Sequence, residues 1–478
     1  MKHPLLVLAF FVMFCGPLPA TEKPNIVFIL CDDLGINDLH CYGRQDHHTP
    51  HLDVLARQGM RFTSAYCAQP ICSPSRAAIL TGKTPARLHL TTYLPGRPDC
   101  VSQKVLHPEI ELRVPLGEKM LPRYFKEAGY VTAAVGKWHV GGKGFGPLEH
   151  GFDVYHPGRA NTKPSATEGG KGEYDLTAFA EQFIETNRDR PFLVYLAHNA
   201  PHIPYDAQPP RIAGNAKAFE PVYAAVIETI DDTVGRLMAK LEALKLADRT
   251  IVVFTSDNGG LHVPEGPHPR VTHNTPYRAG KGFVYEGGLR IPLIVRWPGR
   301  VPAGKVADEP VINTDWVPTL LALADQPVPG GLDGVSLAAM LTGRGPAPAR
   351  SLFWHFPHYT NQGSRPSGAV RDGNWMLVEY YDDPAIELYD LATDIREVRN
   401  VAAEHRERAK KMFASLDVWR TDVHAQSNRP NPDFDPAKYR ALYRDVDASR
   451  FDPFQADQAE WEKIWAWRKG MNAVVPRK

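Results

Sequence analysis

The sequence predicts an α/β fold: a large central sheet, mixed but mostly parallel and flanked by helices, with a smaller α+β C-terminal domain made of an antiparallel sheet plus a helix. Short apolar runs alternate with segments of helical periodicity, the mark of helices packed on a mostly parallel sheet. Beyond about residue 350 the texture changes to closely spaced strands joined by a tight turn, followed by a helical stretch.

Taken in order, residues 1–20 read as a signal peptide. Lys2 and His3 precede an apolar run over 5–14, and Pro17, Leu18, Pro19 and Ala20 form a small-residue cleavage site. The run is too short to span a bilayer, which takes about 20 apolar residues. Residues 25–31 (NIVFILC) read as a buried central strand, and 131–135, 192–197, 251–255 and 291–297 read as further strands. Residues 221–244 carry Val222, Val226, Ile230, Val234, Leu237 and Leu241 at helical spacing. Residues 102–122 are expected to be a loop running into a helix at Leu116, and 158–174, rich in Gly, Lys, Ser and Thr, an exposed loop. In the C-terminal domain, 368–379 reads as a hairpin turning at Asp372-Gly373, 387–391 (ELYDL) as a strand, and 397–416 as a helix. The tail, 427–478, holds Tyr439, Tyr443, Phe451, Phe454, Trp461, Trp465 and Trp467, which argues for packing on the main body. The expected division is a signal peptide over 1–20, a catalytic domain over 21–350 and an α+β subdomain with packed tail over 351–478.

The formal net charge is +1, and it falls to zero once Lys2 is removed with the signal. Such a balance supplies no field for nucleic acid or a membrane surface, so neither is an expected partner. An anionic substrate must be held by local basic residues. Cysteine usage fits an exported protein, periplasmic or extracellular. Cys15 leaves with the signal, and an odd set remains: Cys31, Cys41, Cys67, Cys72 and Cys100. That asks for a special role for one thiol, while the other four allow up to two disulfides.

The chemistry gathers at strand ends. The first strand runs into Asp32-Asp33 and another into Ser256-Asp257-Asn258-Gly259. In open α/β sheets ligands bind beyond the carboxyl ends of strands. Three carboxylates and an amide there are all oxygen donors, a set that suits a hard divalent cation. Cys72-Ser73-Pro74-Ser75-Arg76 then leads to Gly82. Ser73 is a candidate N-cap, Pro74 fits a first helical turn and Gly82 a helix end. Cys72 is thus expected at a helix N-terminus, where N–H groups and the dipole favour anions, with Arg76 one turn on along the same face.

This segment resembles the C-x-P-S-R signature of type I sulfatases, the formylglycine-dependent, arylsulfatase-like branch of the alkaline-phosphatase-like superfamily. Gly136-Lys137-Trp138-His139 is similar to that family's GKWH. Ala200-Pro201-His202-Ile203-Pro204 resembles its PH-x-P element. Lys281 with Glu286-Gly287-Gly288 resembles its GKG…EGG-x-R-x-P, and ELYDL at Glu387 is a looser likeness. The resemblance implies that Cys72 is oxidised to formylglycine by a maturation enzyme. It implies one calcium ion held by Asp32, Asp33, Asp257, Asn258 and the residue-72 side chain. It also implies hydrolysis of sulfate esters through a gem-diol nucleophile and a covalent sulfo-enzyme intermediate.

In that scheme Arg76, Lys137 and Lys281 neutralise the sulfate, His202 aided by Lys281 protonates the leaving alcohol, and His139 takes the proton that releases sulfate. His198 is the rival to His202. The expected substrates are sulfated sugars or polysaccharide fragments, with His198, His262 and His273 as candidate substrate contacts. Two alternatives stand beside this reading: a phosphate or phosphonate monoester hydrolase with the same metal site, and a glycan-binding protein on a decayed scaffold.

Overall fold

The computed structural model describes residues 23–159 and 169–475; the signal-peptide reading lies outside them. Along the chain the strands are β1 (Asn25–Asp32), β2 (Met60–Tyr66), β3 (Val105–Leu106), β4 (Val131–Gly136), β5 (Val154–Pro157), β6 (Phe192–Pro201), β7 (Thr250–Ser256), β8 (Arg290–Arg296), β9 (Lys305–Ala307), β10 (Val311–Ile312), β11 (Leu352–Phe356), β12 (Ser367–Asp372), β13 (Trp375–Tyr380), β14 (Asp383–Asp390) and β15 (Arg429–Pro430). Among the described residues the main sheet has nine strands in the order β10-β2-β8-β7-β1-β6-β4-β5, with β9 also on β2. Only β8 runs antiparallel to its neighbours. Every residue of β1, β6, β7 and β8 is buried, which is why these segments are nearly continuous apolar runs.

The parallel register sets the site. β1 lies between β7 and β6, with Cys31 opposite Ser256 and Asp32 opposite Pro201; Gly136 of β4 stands opposite Ala197 of β6. The carboxyl ends of β1, β4, β6 and β7 therefore share one rim, and the segments holding Asp32, Lys137, His202 and Asp257 leave the sheet together.

The C-terminal sheet is antiparallel, β11-β12-β13-β14. One face, with Val370, Leu377 and Leu388, packs on Ala409, Met412 and Leu416 of the helix Arg406–Asp422. The other, with Ala369, Met376, Val378 and Tyr389, joins the main core. In the tail, Tyr439, Tyr443, Trp461 and Trp467 are buried in the main core, and β15 pairs with β3.

Several local expectations are corrected. The helix expected from Leu116 is Leu121–Glu127, because Pro122 is tolerated only in a first turn. The helix expected from residue 397 begins at Arg406. Before it, Asp394 accepts N–H bonds from Val398 and Arg399, and Asn400 Oδ1 accepts from Leu388 and Ala402, so side chains hold this stretch as a turn. Of the loop expected over 158–174, residues 160–168 lie outside the described residues, and 169–173 are buried. No disulfide forms among the described residues: Cys31, Cys41, Cys67, Cys72 and Cys100 are all free.

Candidate active site

Cys72 opens the buried helix Cys72–Thr81 as its first residue. Ile71 is the N-cap, not Ser73, whose Oγ accepts from Leu94 N–H at 3.1 Å. Gly82, at φ 70°, closes the helix with an N–H bond to Ala78 O, as only a residue at ease in the left-handed region does. Sγ of Cys72 lies 4.0 Å from Asp33 Oδ1. Ligand atoms of Asp32, Asp33, Cys72 and His202 all fall within 4.8 Å of one another.

Cations from other segments converge on these acids. Lys137 Nζ donates to Asp32 Oδ2 at 2.5 Å and Lys281 Nζ to Asp33 Oδ2 at 2.7 Å. Arg76 Nε donates to Asp257 Oδ2 at 2.8 Å and Nη1 to Lys137 O at 3.1 Å. Asp257 Oδ1 accepts from Asp33 N–H at 3.1 Å, and Asn258 Nδ2 donates to Asp33 Oδ1 at 2.9 Å. Burial pushes the Asp32 carboxyl up, but Lys137, with His202, Arg76 and Lys281, overrides it and holds the group well below the usual range. At Asp33 burial again pushes up, and Lys281, with His202 and Lys137, outweighs it and lowers the carboxyl. Burial wins at Asp257, which is pushed up to about 7 although Arg76 opposes.

The donor set fits a hard cation. Asp32 Oδ1 and Asn258 Oδ1 are buried acceptors without a hydrogen-bond partner among the described residues, a costly condition unless a ligand completes them. Asp32 and Asp33 thus offer oxygen ligands beside Cys72 and His202, and Asp257 and Asn258 are hydrogen-bonded to Asp33 next to them.

Two histidines flank the cluster. His202 Nδ1–H donates to Ile203 O at 2.5 Å, and its Nε2 lies 3.6 Å from Asp33 Oδ2. Burial and then Lys281 push it down to about 3. His139 sits at φ 61° with Nε2–H donating to Leu94 O at 3.0 Å. Its Nδ1 is buried without a partner among the described residues, a free lone pair on a neutral ring.

The three candidate sugar contacts are placed in protein instead. His198 is fully buried, its Nδ1–H donating to Glu173 Oε2 at 2.6 Å and its Nε2 3.3 Å from Thr233 Oγ1. His262 Nε2–H donates to Ala448 O at 2.9 Å. His273 stacks on Phe454 with ring centroids 4.5 Å apart. Both of these rings are also buried.

One buried lysine beside the site is not evident from the sequence. Lys171, in what read as an exposed loop, is 2 % exposed and donates from Nζ to Ile203 O at 3.1 Å, the carbonyl that His202 also uses. Burial pushes it down to about 8, against the pull of Asp32. Its sequence signal is the run Gly169-Gly170-Lys171-Gly172, in which all three glycines take positive φ.

An acid-lined strand rim, matched by buried lysines and arginine and faced by a helix N-terminus, defines a hydrolase of anionic esters. Comparison with known proteins gives the particular kind. A family model described as Sulfatase matches residues 24–326, and one described as N-sulphoglucosamine sulphohydrolase, C-terminal, matches residues 279–421. The N-acetylgalactosamine-6-sulfatase of Canis lupus familiaris is 35% identical over 375 residues, covering 71% of this chain and 70% of that protein. The N-acetylgalactosamine-6-O-sulfatase of Bacteroides thetaiotaomicron is 30% identical over 503 residues, covering 84% and 94%. The crystal structure of Ps i-CgsB in complex with k-i-k-neocarrahexaose superposes with a TM-score of 0.72 at 28% identity, covering 94% of this chain and 98% of that one. The chain belongs to the sulfatase family, and its activity is the hydrolysis of sulfate esters.

Proposed function

We propose that this is an exported sulfatase acting on sulfated sugars or polysaccharide fragments, with residue 72 as formylglycine and one calcium ion beside it. The observation that carries the reading is the placing of Cys72 at a helix N-terminus, 4.0 Å from Asp33 Oδ1 and ringed by Arg76, Lys137 and Lys281. The sugar substrate is supported by the names of the relatives and by the oligosaccharide in the Ps i-CgsB complex.

Asp32, Asp33, Asp257, Asn258 and residue 72 would hold the cation, which when bound would supply Lewis-acid polarisation of a sulfate oxygen. Residue 72, once converted to formylglycine by a maturation enzyme, would supply as its hydrate one hydroxyl to attack sulfur and a second through which sulfate would be released. The remaining work falls to side chains the sequence encodes. Arg76, Lys137 and Lys281 are preorganised against carboxylates, so they receive the ester's negative charge with little rearrangement. His202 Nε2 and Lys281 Nζ share Asp33 Oδ2 as neighbour, at 3.6 and 2.7 Å; Lys281 holds the proton in the resting site, and His202, neutral with its Nδ1–H on Ile203 O, relays it through Nε2 to the leaving alcohol. His139, its Nε2–H committed to Leu94 O, offers Nδ1 as the base. The test is a screen of matured enzyme against defined sulfated saccharides, with matched phosphate monoesters beside them. Turnover of a sulfated sugar above all other substrates supports the reading; faster phosphate release would reassign it.

A further inference from the structure

Both stems of the loop that carries Lys281 are fastened to a single residue of the C-terminal region. Arg278, before Lys281, donates from Nη1 to the backbone O of Glu397 at 3.3 Å, beside closer bonds to Tyr389 Oη at 2.8 Å and Ser449 Oγ at 2.7 Å. Glu286, after it, donates its backbone N–H to Glu397 Oε2 at 2.9 Å. The stems also join each other, Gly287 N–H to Arg278 O at 2.9 Å. A Cβ at Gly287 would collide with the backbone of Ala279, and one at Gly288 with that of Phe283, so the loop closes this tightly only with glycine at both positions. Within the loop, Lys281 N–H donates to Gly260 O at 3.0 Å while Nζ reaches Asp33.

Glu397 is built for this place. It is fully buried and sits at φ 53°, a region a non-glycine residue occupies only when its surroundings insist. The surroundings are a turn in which Asp394 O accepts the Glu397 N–H at 3.1 Å and the Asp394 carboxylate accepts from Val398 and Arg399. Glu397 is not needed as a counter-charge to Arg290, which already pairs with Glu286 at 2.5 Å. Burial, reinforced by Glu286, pushes the Glu397 carboxyl well above its usual range. A neutral carboxyl still offers the carbonyl oxygen that Glu286 N–H uses.

We propose that Glu397 is a positioning residue for catalysis: with its carboxyl on the Glu286 stem and its backbone carbonyl on the Arg278 stem, it clamps the 278–288 loop and fixes where Lys281 Nζ stands relative to Asp33 and the substrate. This rests on the role given above to Lys281, and two measurements on the matured full chain separate the clamp from that role. The first is hydrogen exchange. Glu397→Ala should speed exchange of amides in 278–288 by at least about tenfold, as expected for local opening, and leave β1 and β7 unchanged. Unchanged exchange in the loop overturns the clamp, whatever Lys281 does. The second is turnover of a nitrophenyl sulfate. Glu397→Ala should lose on the order of 10²-fold in kcat/KM, the scale for misplacing a reacting group, and Glu397→Gln should regain most of it. The double variant Glu397→Ala/Lys281→Ala should lose no more than Lys281→Ala alone. An additive loss means that Glu397 serves stability only and overturns the positioning role. A Lys281→Ala variant with full turnover instead removes the catalytic reading of Lys281 and leaves the clamp to the exchange result. If Glu397→Ala fails to fold, Glu397→Met, which keeps the side-chain volume and lacks the acceptor for Glu286 N–H, takes its place and must loosen the same amides for the proposal to stand.

Discussion

Arg76 and Asp257 form an ion pair in which Nε stands 2.8 Å from Oδ2 and neither side chain is exposed. Asp257 therefore does two jobs, as a candidate cation ligand and as the partner of a buried guanidinium. Asp257→Ala should lose the bound cation and nearly all turnover. It should also lower stability by roughly 3–5 kcal/mol, the usual result of stranding a buried charge. Elemental analysis of the parent enzyme should find calcium. A chelator should lower both activity and Tm, and added calcium should restore them by mass action. Full activity in enzyme free of divalent cations would remove the cation from the site.

Active protein should carry formylglycine at position 72. Peptide mass spectrometry should show the Cys72 thiol replaced by an aldehyde or its hydrate. Cys72→Ser should accept sulfate without releasing it, because a serine sulfate has no second hydroxyl on its carbon. Full turnover with an unmodified thiol contradicts this.

The site was legible because its residues follow strands. Asp32-Asp33, Lys137, His202 and Asp257-Asn258 each stand just past an apolar run, and parallel register brings such ends together. What the sequence hid depends on contacts between distant segments. Lys171 reads as a surface lysine until Gly170 and Gly172, both at positive φ, turn it inward toward Ile203 O. Ser73 looks like an N-cap because its type favours one, yet its hydroxyl is taken by Leu94 from another loop. Nothing near Glu397 in sequence announces Arg278 and Glu286 as its partners.

His273 tests the acid behaviour of the fold. Burial pushes it down to about 3, so in the native state it stays neutral over a range where the unfolded chain, near 6.5, binds a proton. The unfolded state thus binds more protons, and this contribution is present above pH 6.5 and lost as pH falls toward 3. The slope is at most about 1.4 kcal/mol per pH unit. His273→Phe keeps a ring against Phe219 and Phe454 and removes the titration. Its Tm should fall less than that of the parent between pH 6.5 and 4. Identical acid profiles would show that His273 is not held neutral. A variant with unchanged Tm at pH 7 that loses turnover only on sugar sulfates would restore His273 as a substrate contact.

The last prediction separates His202 from His198. The two stand four positions apart along one segment, but their surroundings differ. His202 turns Nε2 toward Asp33, beside Lys281. His198 is enclosed by Glu173 and Thr233, and Glu173 Oε1 also accepts Ala200 N–H at 3.1 Å, so His198 braces the segment that presents His202. If His202 protonates the leaving alcohol, its loss matters most where the alcohol leaves poorly; a nitrophenolate needs little help from an acid. His202→Ala should therefore lose about 10²–10⁴-fold on a sugar sulfate and far less on nitrophenyl sulfate. His198→Ala should lower Tm, because it strands the Glu173 carboxylate, and should slow both substrates by a similar, smaller factor. Equal losses on both substrates for His202→Ala would assign that ring to sulfate binding. A leaving-group-selective loss at His198 alone would transfer the acid role to His198.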